Sequence, residues 1–188
     1  YNKNADNFAK TTINVDFYET QNRFSTLLPE RGYILDFGCG SGRDTKYFLE
    51  QGFYVDATDG SEEMCHIASN YTGIQVRRLL FEELDENKKY EGIWACSSIL
   101  HLPKNELKAV FMKMFKALKE DGIIYTSFKY GDFEGERNGR YFTDFTEKTF
   151  EEFVDEIDNL QLKEEWITGD VRPGRGEEKW LNVILQKN

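Results

Sequence analysis

Short apolar runs alternate along the chain with longer segments in which apolar residues recur every three or four positions. The runs are bounded by glycine, proline or charged residues, which is typical of buried strands. They predict five strands, at Tyr33–Phe37, Phe53–Thr58, Ile74–Leu80, Gly92–Cys96 and Ile123–Lys129.

The segments between the runs carry helix signals. Ile13, Phe17, Phe24 and Leu28 lie at intervals that share one helical face, which predicts a single helix ending before Pro29. Further helices are predicted at Arg43–Gln51, after Ser61 as a cap, from Pro103 to a stop at Gly122, and after Thr146 as a cap.

Strands that alternate with helices predict an α/β fold with a doubly wound, mainly parallel sheet, because a parallel crossover needs a connection long enough to hold a helix. The last two runs, Leu160–Ile167 and Trp180–Gln186, are too close for such a helix and should pair as a hairpin. We therefore expect a Rossmann-like sheet of about seven strands whose last strand is antiparallel. Residues 1–188 should form one domain.

Charge and composition exclude some classes of protein. With 34 acidic and 24 basic residues the formal net charge is -10, which disfavours binding to bulk nucleic acid. No apolar run is long enough for a membrane span, and residues 1–10 hold no signal-peptide core. We expect a cytoplasmic protein without a membrane partner, as a monomer or a homodimer.

The cysteines do not indicate a metal site or a disulfide framework. Cys39, Cys65 and Cys96 are widely spaced and form no Cys-x-x-Cys pair. Only His66 and His101 add histidine ligands. The sequence therefore predicts buried, unreactive cysteines and no metal.

Glycines cluster directly after the first predicted strand. Gly38, Gly40 and Gly42 occupy a strand-to-helix turn, where glycine permits positive φ and close approach of a ligand to the backbone. Asp59 ends the next strand, where its carboxylate can accept hydrogen bonds from both hydroxyls of a ribose. This combination favours an adenosine-containing cofactor over a tight turn without a ligand.

The spacing of the glycines argues against a dinucleotide. The dinucleotide fingerprint is Gly-x-Gly-x-x-Gly, whereas this turn is Gly-x-Gly-x-Gly followed by Arg43. A phosphate-binding Gly-x-x-x-x-Gly-Lys-Ser loop is also absent from the sequence. The motif is therefore of a different type.

Three motifs resemble those of the class I S-adenosylmethionine-dependent methyltransferases: LDFGCGSG, DATDGSEEM and GIWACSSILHLP. The segments SFKYGDFEGERNGRYFTDFT and RPGRGEEKWLNVIL resemble the C-terminal half of tellurite-resistance-like, small-molecule methyltransferases. The resemblance covers the whole chain and is more specific for the cofactor than for the substrate. It implies a class I methyltransferase fold, S-adenosyl-L-methionine as cofactor and S-adenosyl-L-homocysteine as product.

The resemblance also implies which residues bind the cofactor. These residues are Tyr1, Asp36, Gly38, Cys39, Gly40, Asp59, Gly60, Met64, Leu80, Phe81, Glu82 and Cys96. Leu80 departs from the pattern, because many relatives hold the adenine amino group with an aspartate there. Glu82 or backbone should then supply that contact, unless the adenine is held more loosely. Residues 1–30 are expected to cap the cofactor site.

Methyl transfer from a sulfonium is a single displacement, so the protein mainly aligns the reactants and needs a base only if the acceptor must lose a proton. His101 is the candidate base, with a structural role as the alternative. Lys129, Arg140 and Arg172, with Trp180, are candidates for binding an anionic acceptor through loops 131–142 and 169–179. Ordinary salt bridges within these loops are the alternative.

Three functions remain open from the sequence. The first is methylation of a small-molecule acceptor at oxygen, nitrogen, sulfur or another chalcogen. The second is methylation of protein or RNA, which uses the same cofactor motifs. The third is a non-catalytic module that binds S-adenosylmethionine.

Overall fold

The computed structural model describes residues 5–188, which form a central sheet with helices on both faces. The helices are α1 (Ala5–Thr12), α2 (Tyr18–Ser25), α3 (Arg43–Glu50), α4 (Glu62–Thr72), α5 (Lys104–Ala117) and α6 (Glu147–Val154). The strands are β1 (Tyr33–Phe37), β2 (Tyr54–Asp59), β3 (Arg77–Arg78), β4 (Tyr90–Ala95), β5 (Leu118–Lys129), β6 (Glu134–Arg137), β7 (Arg140–Thr143), β8 (Leu160–Gly169) and β9 (Lys179–Lys187). Short 3₁₀ turns occupy Phe81–Glu83 and Ile99–His101.

Seven strands form the main sheet in the order β3-β2-β1-β4-β5-β9-β8. The contacts from β3 to β5 are parallel, whereas β9 runs antiparallel to both β5 and β8. The predicted fold class and the antiparallel last strand are therefore confirmed. Because the winding direction reverses between β1 and β4, the carboxyl ends of these strands border the crevice in which such sheets bind ligands.

Each face of the sheet has its own apolar core. On one face α5 and α6 cover a cluster that includes Phe111, Phe128 and Phe150. On the other face Trp94 stacks on Tyr125 with ring centroids 4.0 Å apart. Among the helices of residues 5–188, none has the length and apolar character needed to cross a membrane.

The predicted N-terminal helix is wrong in its extent, because two helices replace it. The chain leaves helical geometry after α1, and the Asp16 carboxylate accepts a hydrogen bond from the N–H of Tyr18 at 3.0 Å, where α2 begins. An aspartate that bonds the backbone two residues later favours a turn over a continuous helix. Ile13 therefore lies outside both helices.

Two other boundaries differ from the prediction. The helix expected to end at Gly122 ends at Ala117, and β5 begins with the next residue because Leu118 already pairs with Tyr90. The run Ile74–Leu80 forms only the two-residue strand β3, which lies at the edge of the sheet and pairs only with β2.

A segment expected to be a glycine-rich loop is a two-stranded hairpin. β6 and β7 pair in a sheet of their own, separate from the seven-stranded sheet. Asn138 and Gly139 form the turn with φ of 53° and 75°. An Asn-Gly dipeptide adopts this geometry readily, and it was the available sequence signal for the hairpin.

One carboxylate links residues of three strands or their ends. Asp56 on β2 accepts hydrogen bonds from Arg77 at 2.9 and 3.2 Å, from Tyr90 at 2.6 Å and from Lys89 at 3.1 Å. Burial raises the pKa of Asp56, but these donors outweigh burial and hold the pKa below its usual value.

We predict that Asp56→Asn lowers the free energy of unfolding at pH 7 by about 2 kcal/mol, since it removes charge-assisted hydrogen bonds. Because the folded-state pKa is lowered, this stability is present above the unfolded pKa and is lost as the pH falls through the folded pKa. Urea unfolding at pH 7 and below pH 4 would measure it. Asp85→Asn, at an exposed carboxylate paired with Lys116, is the control and should change little.

Candidate functional site

A cavity of about 1170 Å³ opens at the carboxyl ends of the central strands. Its wall includes the glycine turn after β1, Asp59 at the end of β2, and residues after β4 and β5. Pockets for one drug-sized ligand are about 300–1,000 Å³, so this cavity has room for a cofactor and a second small molecule.

The glycine turn is bonded to the end of β2. The N–H groups of Gly38 and Cys39 both donate to the Thr58 carbonyl, at 2.9 and 2.8 Å. Gly38, Gly40 and Gly42 have φ of 83°, 55° and 85°, the left-handed region that disfavours other residues.

Two of these glycines are also required by the protein's own packing. A Cβ at Gly38 would lie 2.6 Å from Cβ of Ser98, and a Cβ at Gly42 would lie 2.7 Å from Cγ2 of Thr72. From the sequence, we interpreted these glycines as allowing a ligand to approach the backbone closely. The structure adds a second reason, because Gly38 packs against the segment after β4 and Gly42 packs α3 against α4.

We predict that Gly38→Ala destabilises the protein by about 3 kcal/mol, through backbone strain together with the clash at Ser98. Gly52→Ala is the matched control, because Gly52 has a similar φ of 88° but no atom within 4 Å of the position that a Cβ would occupy. It should cost about 1 kcal/mol from strain alone. If urea unfolding showed the same loss of unfolding free energy in both variants, the packing role of Gly38 would be contradicted.

Asp59 lies between the glycine turn and α4. Its Oδ2 accepts from the N–H of Gly40 and its Oδ1 accepts from the N–H of Ser61, both at 2.9 Å. Burial raises the pKa of this carboxyl above its usual value. The N–H of Gly60 bonds to the same carboxylate. A carboxylate has about four acceptor positions, so Asp59 retains capacity for a further hydroxyl donor.

Asp36 lies beneath the turn and does not line the cavity. It is buried, and Thr45 donates to its Oδ2 at 2.6 Å. Burial, followed by the negative charge of Asp44, raises the pKa of Asp36 to about 8. A carboxyl with this pKa is mostly protonated at neutral pH.

The wall beside Asp59 is apolar. It consists of Gly60, Met64, Leu80 and Phe81, and Cδ2 of Leu80 would lie 3.3 Å from a Cβ at Gly60. Glu82, a candidate for the missing adenine contact, is exposed and lies outside the cavity wall. Of the two expected sources of that contact, only the backbone remains at the wall.

Sequence reasoning missed a buried ion pair on the cavity wall. Arg43 donates to both oxygens of Asp44 at 2.8 and 3.0 Å, and its guanidinium lies 4.6 Å from the ring centroid of Phe17. Asp44 also accepts from Gln21 at 2.7 Å and from Trp94 at 2.9 Å. Burial raises the pKa of Asp44, but Arg43 and the neutral donors outweigh burial, so the pKa is lowered.

The three cysteines are free thiols. Burial raises the pKa of Cys39 well above its usual value and that of Cys96 to about 12, so neither is a thiolate at neutral pH. Within residues 5–188, no group of acidic, cysteine and histidine side chains is arranged to hold a metal ion.

The far wall of the cavity is cationic. Its basic side chains come from β5, the β6–β7 hairpin and the β8–β9 connection, and they are Lys129, Arg137, Arg140, Arg172 and Arg175.

Several of these cations have carboxylate partners, as the salt-bridge alternative predicted. Arg172 binds Asp170 through both oxygens, at 2.9 and 2.5 Å. Lys129 and Arg175 share Glu178. Burial raises the pKa of Asp170, but the bonds from Arg172 outweigh burial and hold the pKa at about 2.

The cationic wall also includes aromatic rings. Trp180 donates from Nε1 to Asp170 at 3.1 Å. Arg137 pairs with Asp144 at 2.7 Å and lies 5.1 Å from the ring centroid of Phe142. The wall therefore combines aromatic surface with a cluster of cations, two of which share a single carboxylate.

His101 lies on the wall at the end of the 3₁₀ turn after β4. Its Nδ1 is 2.8 Å from the Tyr141 carbonyl of the hairpin. Burial, assisted by the nearby charges of Arg140 and Lys129, lowers the pKa of His101. The imidazole is therefore neutral at pH 7.

The structure brings most of the predicted site residues to one cavity. The residues on its wall are Gly38, Cys39, Gly40, Asp59, Gly60, Met64, Leu80, Phe81, Cys96, His101, Lys129, Arg140, Arg172 and Trp180. Asp36 and Glu82 lie outside the wall, and Tyr1 lies outside the described residues. The roles of all these residues remain predictions.

The chain matches known proteins in sequence. Residues 34–122 match the family model described as "Methyltransferase domain". The protein YqeM of Bacillus subtilis, provisionally named a methyltransferase, is 33% identical over 116 residues, which are 56% of this chain and 47% of that protein. The chain thus spans about half the length of this relative.

Solved structures match over the whole chain. The 1,6-didemethyltoxoflavin N1-methyltransferase of Burkholderia thailandensis, crystallised with 1,6-didemethyltoxoflavin and S-adenosylhomocysteine, has a TM-score of 0.80 at 23% identity, covering 100% of this chain and 84% of that one. A TehB-like S-adenosylmethionine-dependent methyltransferase of Corynebacterium glutamicum has a TM-score of 0.71 at 19% identity and covers 100% of both chains.

At these identities the structural likeness establishes the fold. Together with the family match, it confirms the predicted resemblance to class I S-adenosylmethionine-dependent methyltransferases and supports the predicted cofactor.

Proposed function

We infer that this chain, a class I S-adenosylmethionine-dependent methyltransferase by its domain family and fold, transfers a methyl group to a small anionic acceptor. The observation that carries this proposal is a single cavity whose one end holds the glycine turn and Asp59 and whose other end holds five basic side chains. Cofactor and acceptor would then meet within one space.

The residues at the first end fit S-adenosylmethionine. Asp59 has acceptor capacity left for a ribose hydroxyl, and Leu80 and Phe81 offer an apolar wall for the adenine ring. Cys39 and Cys96 also line the cavity, and in this proposal they would contact the methionine portion. When bound, the cofactor supplies a methyl group on a positively charged sulfur.

The basic side chains at the second end of the cavity favour binding of an anionic acceptor. Its cations lie in a protein of net charge -10, so their concentration on one wall is a local feature. Arginine suits carboxylates and other oxyanions because its planar fork donates two parallel hydrogen bonds. The aromatic rings of Phe142 and Trp180 offer contact area for a planar molecule.

A small-molecule acceptor has further support. The Burkholderia enzyme of similar fold was crystallised with 1,6-didemethyltoxoflavin, the compound its name gives as the one it methylates. By analogy of fold, the corresponding region of this chain would receive a compound of comparable size. Because the curated relative YqeM is about twice as long as this chain, the activity of the whole protein is part of the proposal.

We predict that isothermal calorimetry detects binding of S-adenosylhomocysteine and not of NAD. Asp59→Asn should weaken this binding by about 30-fold, because it removes the charged acceptor of a ribose hydroxyl hydrogen bond. Glu82→Gln is the control and should bind as the wild type does, since Glu82 lies outside the cavity wall. Failure of the wild-type protein to bind S-adenosylhomocysteine would refute the proposed function.

We predict that Arg140→Ala raises the Michaelis constant for an anionic acceptor by about tenfold, the loss of one charge-assisted hydrogen bond. The acceptor is to be found by screening small carboxylates, phosphates and acidic heteroaromatic compounds for release of S-adenosylhomocysteine. The affinity for S-adenosylhomocysteine should stay unchanged. Lys148→Ala is the control, since this exposed lysine lies on α6 outside the cavity wall. An unchanged Michaelis constant would remove Arg140 from the acceptor site.

A further inference from the structure

The β6–β7 hairpin is bound to the segment that carries His101. Thr143 donates from Oγ1 to the Leu102 carbonyl at 2.7 Å. Glu134 accepts from the backbone N–H of Lys104 at 3.0 Å, at the start of α5. The hairpin therefore has a defined position relative to His101.

A third contact determines which ring nitrogen of His101 carries the proton. A backbone carbonyl can only accept, so the Tyr141 carbonyl at 2.8 Å requires the hydrogen of the neutral ring to be on Nδ1. Nε2 is then unprotonated, and its lone pair can accept a proton. Among residues 5–188, Nε2 has no hydrogen-bond partner, while His101 lines the cavity.

The surroundings of His101 keep it neutral and oriented. The ring packs edge-on against Phe142, with centroids 4.7 Å apart and planes at 71°. The charged groups near it are Arg140 on β7 and Lys129 on β5, both basic, and together with burial they lower its pKa. An imidazole in this state is present as the free base at neutral pH.

Building on the proposed function, we propose that His101 is the general base of the methyl transfer and that the hairpin, through the Tyr141 carbonyl, is its positioning element. As the acceptor atom attacks the methyl carbon, its bond to hydrogen breaks and the proton goes to Nε2. The electron pair of that bond is retained by the acceptor, and the sulfur–methyl pair stays on sulfur as a neutral thioether. The positive charge passes from sulfur to the imidazolium.

This assignment narrows the class of acceptor. A thiolate, a chalcogenide anion or an amine with a free lone pair needs no base before it attacks. A histidine that lines the cavity with an unprotonated Nε2 can assist an acceptor whose attacking oxygen or nitrogen carries a proton of moderate acidity. The acceptor is therefore an anion with an ionisable O–H or N–H as its reacting group.

Nitrogen-15 NMR of the labelled full chain saturated with S-adenosylhomocysteine tests this directly. His101→Asn assigns the signals, and His66, on the exposed face of α4, is an internal reference. We expect His101 to be neutral and protonated on Nδ1 at pH 7, with a titration midpoint below the ordinary value for histidine. A proton on Nε2, or an imidazolium at pH 7, would overturn the proposal.

Benzoate serves as the anionic probe of the space next to Nε2. When it binds the same complex, the titration midpoint of His101 should rise by about half a pH unit, because a nearby anion favours the imidazolium. If benzoate does not bind, or binds without changing the titration midpoint of His101, then Nε2 does not lie next to the space that receives the anion. Either result would overturn the proposal. Failure to bind S-adenosylhomocysteine would instead refute the proposed function.

A matched pair of variants tests the hairpin. Thr143→Val removes the hydroxyl that binds the hairpin to Leu102, whereas Thr143→Ser retains it. In the valine variant we expect both tautomers of His101, with the serine variant like the wild type. An unchanged tautomer in a folded valine variant would show that the hairpin does not position His101.

Discussion

A buried carboxylate is stable only if hydrogen-bond donors satisfy its oxygens. Asp44 is such a carboxylate, and its donors come from the elements around the cavity. Its partners come from α2, α3 and β4, since Gln21, Arg43 and Trp94 all donate to it. Losing one donor would leave charge unpaired in a region of low dielectric. The position of α3, and hence of the glycine turn before it, follows from this bonding.

The glycine turn has two roles, in packing and in forming the cavity wall. Gly38 and Gly42 allow β1, α3, α4 and the segment after β4 to approach closely, and the same backbone forms a cavity wall. A motif of this kind therefore persists for reasons of packing as well as of binding. Intact glycines alone cannot distinguish an enzyme from a module that has lost its activity.

The alternation of strands with helices and the grouping of the glycine turn with Asp59 were predictable because their signals are local. Apolar runs, the cap at Ser61 and the spacing from Gly40 to Asp59 are all contained in short segments. The bonds from Gln21 and Trp94 to Asp44 depend on tertiary contacts, so the neighbours of Asp44 in sequence gave no sign of them. The hairpin had a local signal at Asn138 and Gly139, which the glycine and charge content of the segment obscured.

The β6–β7 hairpin shares no strand with the main sheet. It can change in length or sequence without breaking a backbone hydrogen bond between the strands that surround the cofactor end. Exchange of the hairpin as a unit would alter both the charge of the cationic wall and the backbone contact to Nδ1 of His101. Under the proposed function, acceptor selectivity and reactivity would then change together through one replaceable segment, while the backbone of the glycine turn stays the same.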